Sequence, residues 1–251
     1  MEKLLKYSVL RYSPSTVAGE KINLGIIFSE EKEGIYKFEF TKNFSRLQSF
    51  DDSINIDMLK VILNGIKEDV EETTLMNYKK KFDIEEYTRY FVNDYFFDIP
   101  KSIQYENLDD AIERLKKSYF RFDYVKKERP TPAEDRKLIE DIIISNSKEY
   151  VKDRAIKGDF DDNIKYDFIT DKYNIKILEL ENKNLKRLIN NAKLWAWNST
   201  HTQGEKETLI LYSYNEENMK YQNEFNIIRN IFKECKTKFV SVDEAMPLFE
   251  N

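Results

Sequence analysis

The 251-residue chain (30.2 kDa) is 41% hydrophobic, 14% aromatic and 35% charged. That is enough apolar material for real cores, in two modest domains or one large one, and too many rings for a disordered chain. A net charge of -5 and a pI near 5.3 exclude a surface that sheathes nucleic acid throughout, while a local basic groove or an acidic partner surface stays allowed. A single cysteine, Cys235, and a single histidine, His201, exclude an internal disulfide and any His/Cys metal cluster from one chain, so a protein metal site must be built from carboxylates. No signal-peptide run opens the sequence and no window reaches transmembrane length, so a cytoplasmic protein without membrane contact is expected. Richness in Lys, Asn and Ile points to a low-GC bacterium or its phage.

In chain order, Lys6 to Phe28 comes first. Val9, Leu10, Ile22, Leu24, Ile26 and Ile27 suit a pleated surface, and Pro14, Ser15 and Gly19 break the pattern between them, which predicts a hairpin. A third strand, Ile35 to Thr41, alternates Tyr36, Phe38 and Phe40 with Lys37 and Glu39. Helical spacing then recurs at Leu59, Ile62, Leu63, Ile66 and Val70, and again at Ile84, Tyr87, Phe91 and Tyr95. Asn107 caps a third helix whose positive first turn holds Asp109 and Asp110.

The ordered constellation Tyr7-Ser8-Val9-Leu10-Arg11-Tyr12-Ser13-Pro14, Gly19-Glu20 and Ile22-Asn23-Leu24-Gly25-Ile26-Ile27 resembles the opening of a bacterial domain-of-unknown-function family, number three-zero-three-seven. The resemblance spans Met1 to about Lys127. It implies a small cytoplasmic protein with no agreed activity, some members being encoded beside HipA-like kinases. Within this stretch Arg11, Glu20 and Asn23 are the candidate binding residues, with an Arg11–Glu20 contact across the hairpin as the plain structural alternative. Gly25, inside a strand, points to a bulge or a close backbone approach.

Arg121 to Pro132 mixes charge with two prolines and marks a boundary between domains 1–127 and 128–251. Thr131-Pro132-Ala133-Glu134 fits a capping box with proline at the first helical position, which predicts a helix to about Lys152. An acidic loop follows at Gly158, Asp159, Asp161 and Asp162. Strands are expected at Ile164 to Thr170 and Ile175 to Leu180, then a helix through Leu185, Leu188, Ile189, Ala192 and Ala196. Leu209 to Tyr212 reads as a strand, Asn218 to Glu234 as a helix and Lys238 to Val242 as a last strand.

This second half is similar to the core of PD-(D/E)XK nucleases, in which an aspartate on one strand and an acid-x-lysine on the next hold a divalent metal. The resemblance implies catalytic roles for Asp167, Glu179, Glu181 and Lys183, with Asp167 and Glu179 as Mg²⁺ ligands. In Glu179-Leu180-Glu181 an acid stands where the lysine belongs, and Lys183 of Glu181-Asn182-Lys183 is expected past the strand end. The alternative is a solvated acidic strand. Lys186, Arg187 and Lys193 give the following helix a basic side ending at Trp195 and Trp197, so Lys186, Arg187 and Trp197 are candidate nucleic-acid contacts; a solvated helix with a core Trp195 is the alternative. His201 sits in a polar stretch, Asn198 to Glu207, that reads as a mobile loop, and no nucleophile-elbow sequence accompanies it. Cys235 shares a helical stripe with Phe225, Ile228 and Phe232 and reads as a buried thiol.

Together these features predict an α+β protein with an N-terminal antiparallel sheet and a C-terminal mixed sheet, each with flanking helices. The expected function is non-enzymatic: a protein-interaction or regulatory role of bacterial or phage origin, in defence, counter-defence or a HipA-like kinase setting. A protein partner and no cofactor are expected. A metal-dependent nuclease using Mg²⁺ and a non-cleaving nucleic-acid-binding module are the alternatives.

Overall fold

The structure is a computed structural model that describes residues 3–15, 19–76, 82–180, 185–213, 222–235 and 237–249. Two compact units divide the chain, 1–131 and 132–251. Among the described residues, no helix is long and apolar enough to cross a membrane.

The first unit is built on strands β1 (Leu4–Tyr12), β2 (Ile22–Glu30) and β3 (Ile35–Phe40), followed by helices α1 (Phe44–Phe50), α2 (Ile56–Met76) and α3 (Ile84–Thr88). Strands β4 (Tyr95–Phe97) and β5 (Lys101–Gln104) and helix α4 (Leu108–Tyr119) complete it. The sheet is antiparallel, in the order β3-β2-β1-β4, with β5 also paired to β1. Tyr12, Leu24, Phe38, Leu47, Leu59, Leu63 and Ile84 form its core over α1 to α3. The pairing of Leu10 with Gly25 and Arg11 with Asn23 leaves Leu24 unopposed, a bulge in the hairpin. A Cβ on Gly25 would stand 2.3 Å from Cζ of the buried Phe38 ring, so the close approach expected there is real.

Three differences from expectation occur in this unit: the short helix α1, capped by Asn43, was not expected, and two further elements differ. The sheet has five strands and not three, and the helix expected through Tyr95 ends at Thr88. Phe91 and Tyr95 do pack on the same core as Tyr87, but from a turn and from β4, with Asn93 in the left-handed region (φ 72°) turning the chain between them. Shared burial mimicked a helical period.

The second unit runs α5 (Pro132–Asn146), β6 (Tyr150–Lys157), β7 (Asn163–Thr170), β8 (Tyr173–Glu179), α6 (Leu185–Thr200), β9 (Glu207–Ser213), α7 (Gln222–Lys233), β10 (Thr237–Ser241) and α8 (Val242–Phe249). Its sheet is mixed, in the order β10-β9-β8-β7-β6; β8, β9 and β10 are parallel, and β7 is antiparallel to both neighbours. Leu178, Leu188, Ala192, Ile210, Ile228 and Phe232 gather under α6 and α7. Helices α5 and α8 pack on each other and on β8 and β9.

Here α5 stops at Asn146 and not near Lys152: the Ser147 N–H makes the last helical bond, to the Ile143 carbonyl, and Asn146 Nδ2 donates to the Ile142 carbonyl beside it. The residues beyond form β6, an exposed, charge-rich edge strand interrupted by Asp153 at φ 55°. Such charges and kinks blunt an open sheet edge, and they also erase the alternation that announces a strand. Helix α8 was not expected either. Its signal is present as a capping box: the Glu244 N–H donates to Ser241 Oγ while Glu244 Oε2 accepts from the Ser241 N–H.

Candidate functional site

In the second unit the candidate site forms where β7 and β8 separate. Their ladder pairs Phe168 with Ile175 and Ile169 with Asn174; beyond it, Asp167 Oδ2 accepts the Ile177 N–H at 2.8 Å, so a carboxylate serves the backbone donor. Asp167 is buried, and its Oδ1 receives Lys176 Nζ at 3.1 Å and an Arg136 Nη at 2.8 Å. The same guanidinium reaches Glu179 Oε1 at 3.4 Å and, through Nε, Glu140 Oε1 at 3.1 Å. Glu140 is held in turn by Lys152 at 2.6 Å.

The two carboxylates singled out from the sequence, Asp167 and Glu179, are therefore brought together, by an arginine that the sequence did not single out. Arg136 and Glu140 stand four apart on α5, an ordinary helix-surface spacing, and only the fold carries them to β7 and β8. Burial alone pulls the Arg136 guanidinium down, but Asp167, Glu179 and Glu140 together outweigh it and hold it above its ordinary value. The group is a permanent cation. Lys176 Nζ also lies 4.9 Å from the centre of the Trp195 ring, which closes one side of a cavity of about 200 Å³ lined by Arg136, Lys176, Glu179, Leu188, Asn191 and Trp195.

A divalent cation needs oxygen lone pairs directed at one point. Asp167 gives its two oxygens to Arg136, Lys176 and Ile177, and the guanidinium lies between Asp167 and Glu179. Two fixed positive charges within about 3 Å of Asp167 repel a third at close range. The arrangement does not fit the metal. No group of three or more His, Cys, Asp or Glu side chains suited to a metal ion occurs among the described residues. Glu181 and Lys183 lie outside them.

In the first unit, Arg11 is directed to Asp98, at 2.8 Å, where the hairpin pattern pointed to Glu20. Glu20 is exposed, and its backbone carbonyl accepts from Ser13 Oγ. The Lys101 side chain is fully enclosed, with Nζ 5.6 Å from the centres of the Tyr7 and Tyr119 rings and 3.7 Å from Asp98. Asn23 Nδ2 donates to the Tyr119 carbonyl at 3.0 Å. Arg11 and Asn23 thus belong to an internal clasp, Arg11 tying β1 to the β4–β5 turn and Asn23 tying β2 to the end of α4. Asp98 and Lys101 escaped notice because one lies in the turn after a three-residue strand and the other opens a four-residue strand, too little chain to show a period.

On α6, Lys186, Arg187 and Trp197 are all exposed. His201 is no part of a loose loop: α6 continues through Thr200, and the His201 carbonyl accepts from the Asp159 N–H at 2.9 Å. Its ring stacks on Trp197 with centroids 3.8 Å apart. Cys235 is half-buried, and burial pushes its thiol up, away from a reactive thiolate.

Comparison with curated proteins and with solved structures gave no match. The N-terminal residues 7–94, from β1 to the residue before β4, match a family model described as "Protein of unknown function (DUF3037)", and it is to this family that the first unit is similar.

Proposed function

We propose that the chain acts by binding and not by hydrolysis, as a non-enzymatic interaction or regulatory protein of bacterial or phage type. The observation that carries this reading is the Arg136 guanidinium shared by Asp167 and Glu179. In the nuclease arrangement expected from the sequence of the second half, these two acids would bind the metal that activates water. Here they neutralise a side chain of their own protein, and Lys176 adds a second cation to Asp167. What remains is a charged clamp joining α5 to β7 and β8. The setting implied by the family resemblance, beside a HipA-like kinase or in defence or counter-defence, belongs to this proposal.

The test is to incubate the purified chain with single- and double-stranded DNA and RNA, with Mg²⁺ or Mn²⁺ and with chelator. Intact substrate in every lane is the expected result. Metal-dependent cleavage that disappears in Asp167→Asn overturns the reading.

A further inference from the structure

The outer face of α6 carries an aromatic group that the clamp does not use. Trp197 is 55% exposed and Phe160, in the β6–β7 turn, 67%. The Trp197 and His201 rings lie 20° from parallel at 3.8 Å, Phe160 and Trp197 15° from parallel at 6.0 Å, and Phe160 and His201 are 5.4 Å apart. Aromatic pairs keep their centroids about 4.5–7 Å apart, so rings on opposite faces of one indole would stand well beyond 5.4 Å from each other, and Phe160 and His201 lie on the same side. Helical side chains lean toward the N-terminus, and His201, four residues after Trp197, therefore covers the C-terminal side of the indole. The side that these two rings leave uncovered is then the one toward Lys193, a turn earlier on α6.

That direction is cationic. Lys186, Asn190, Lys193 and Trp197 follow one another at helical spacing along an exposed stripe, Arg187 stands beside it, and Leu185–Thr200 contains no acidic residue. The acids Asp159, Asp161 and Asp162 belong to the turn that carries Phe160, on the covered side, where Asp161 pairs with Lys157 at 2.9 Å. The platform is also held in place. The Asp159 N–H donates to the His201 carbonyl, the Gln203 N–H to the Lys157 carbonyl, and Gln203 Nε2 to the Gly158 carbonyl. Preorganisation of this kind reduces the entropy lost on binding.

We propose that this stripe binds single-stranded nucleic acid, one base stacking on the open face of Trp197 and phosphates lying along Lys193, Lys186 and Arg187. From Lys186 to Trp197 is eleven residues, about 16 Å at 1.5 Å per residue, longer than a mononucleotide and suited to a strand. A flat π-face beside a row of cations is the combination that binds single strands without reading their sequence. The opposite side of α6, through Leu188, Asn191 and Trp195, faces the Arg136 cavity, so a strand on the outer stripe stays clear of Asp167 and Glu179. The inference is independent of the non-catalytic reading of that clamp.

The experiment is fluorescence anisotropy of labelled 15-nucleotide DNA and RNA with the full chain at about 50 mM salt, with quenching of tryptophan emission read in parallel and the oligonucleotide recovered afterwards on a gel. Binding is expected to weaken by about 5- to 150-fold in Trp197→Ala, the range of one base stack. In Lys193→Glu the salt dependence should fall by about one ion. Phe160→Ala should weaken binding less than Trp197→Ala. An unchanged thermal melt shows that each variant is folded, and cut oligonucleotide would count against the clamp reading without touching this one. No binding at 50 mM salt, or equal affinity in Trp197→Ala, overturns the proposal. So does equal competition by polyglutamate, which would make the stripe a surface for acidic proteins.

Discussion

Replacing Arg136 by methionine removes the guanidinium while keeping much of its aliphatic bulk, and the effect can be worked from the contacts. Removing one partner of a buried ion pair costs about 3–5 kcal/mol when the other charge is left unsatisfied. Here Asp167 keeps Lys176 and the Ile177 N–H, Glu140 keeps Lys152, and Arg136 itself is 30% exposed. The loss should therefore be smaller, roughly 2 kcal/mol, lowering Tm by about 6–12 °C for a unit of this size. Both tryptophans, Trp195 and Trp197, lie in the second unit, so urea unfolding followed by tryptophan emission reports on this unit alone. A double-mutant cycle with Asp167→Asn should give a coupling of about 1.5–3 kcal/mol. A coupling under about 0.5 kcal/mol, the level of an exposed surface pair, would refute the reasoning.

Further outcomes follow from the first unit. Gly25→Val must move the buried Phe38 ring and should cost about 1–3 kcal/mol by overpacking; unchanged stability would remove the close-approach argument. Asp98→Ala leaves the enclosed Lys101 ammonium without its carboxylate and should cost about 3–5 kcal/mol, read by circular dichroism melts, and a loss under about 1 kcal/mol would show that the two tyrosine rings suffice. The Tyr12 hydroxyl, and after it the Ser53 hydroxyl and amide, hold the Asp51 carboxyl below the usual range. A depressed carboxyl stabilises the fold above its unfolded pKa, and that contribution is lost as pH falls through the folded value. In Tyr12→Phe the Asp51 carboxyl, followed by NMR, should titrate at higher pH; an unmoved titration would assign the shift to Ser53.

The legible parts of the sequence were those with long periods and local chemistry. The alternation of Tyr36, Phe38 and Phe40 marked β3, Asn107 capped α4, and Pro132 opened α5 where the sequence placed a helix start. Elements that draw their stability from neighbours were not legible. β4 and β5 are three and four residues long and exist by pairing with β1, and β6 is an exposed edge whose charges mask its period. The candidate site divides in the same way. Asp167 and Glu179 were named only through a nuclease-like strand pattern, whereas Arg136, on a polar helix surface, acquires its role only when the chain folds. The stack of Phe160, Trp197 and His201 joins residues about forty positions apart, through hydrogen bonds of backbone that no side-chain pattern encodes.

That Asp167 and Glu179 hold Arg136 and not a divalent metal is tested most directly by titrating Mn²⁺ into the wild-type chain in a calorimeter, with Asp167→Asn alongside. No saturable binding that depends on Asp167 is the result predicted, because Arg136 and Lys176 already neutralise that carboxylate. Stoichiometric binding to the wild type that is lost in Asp167→Asn would contradict the account.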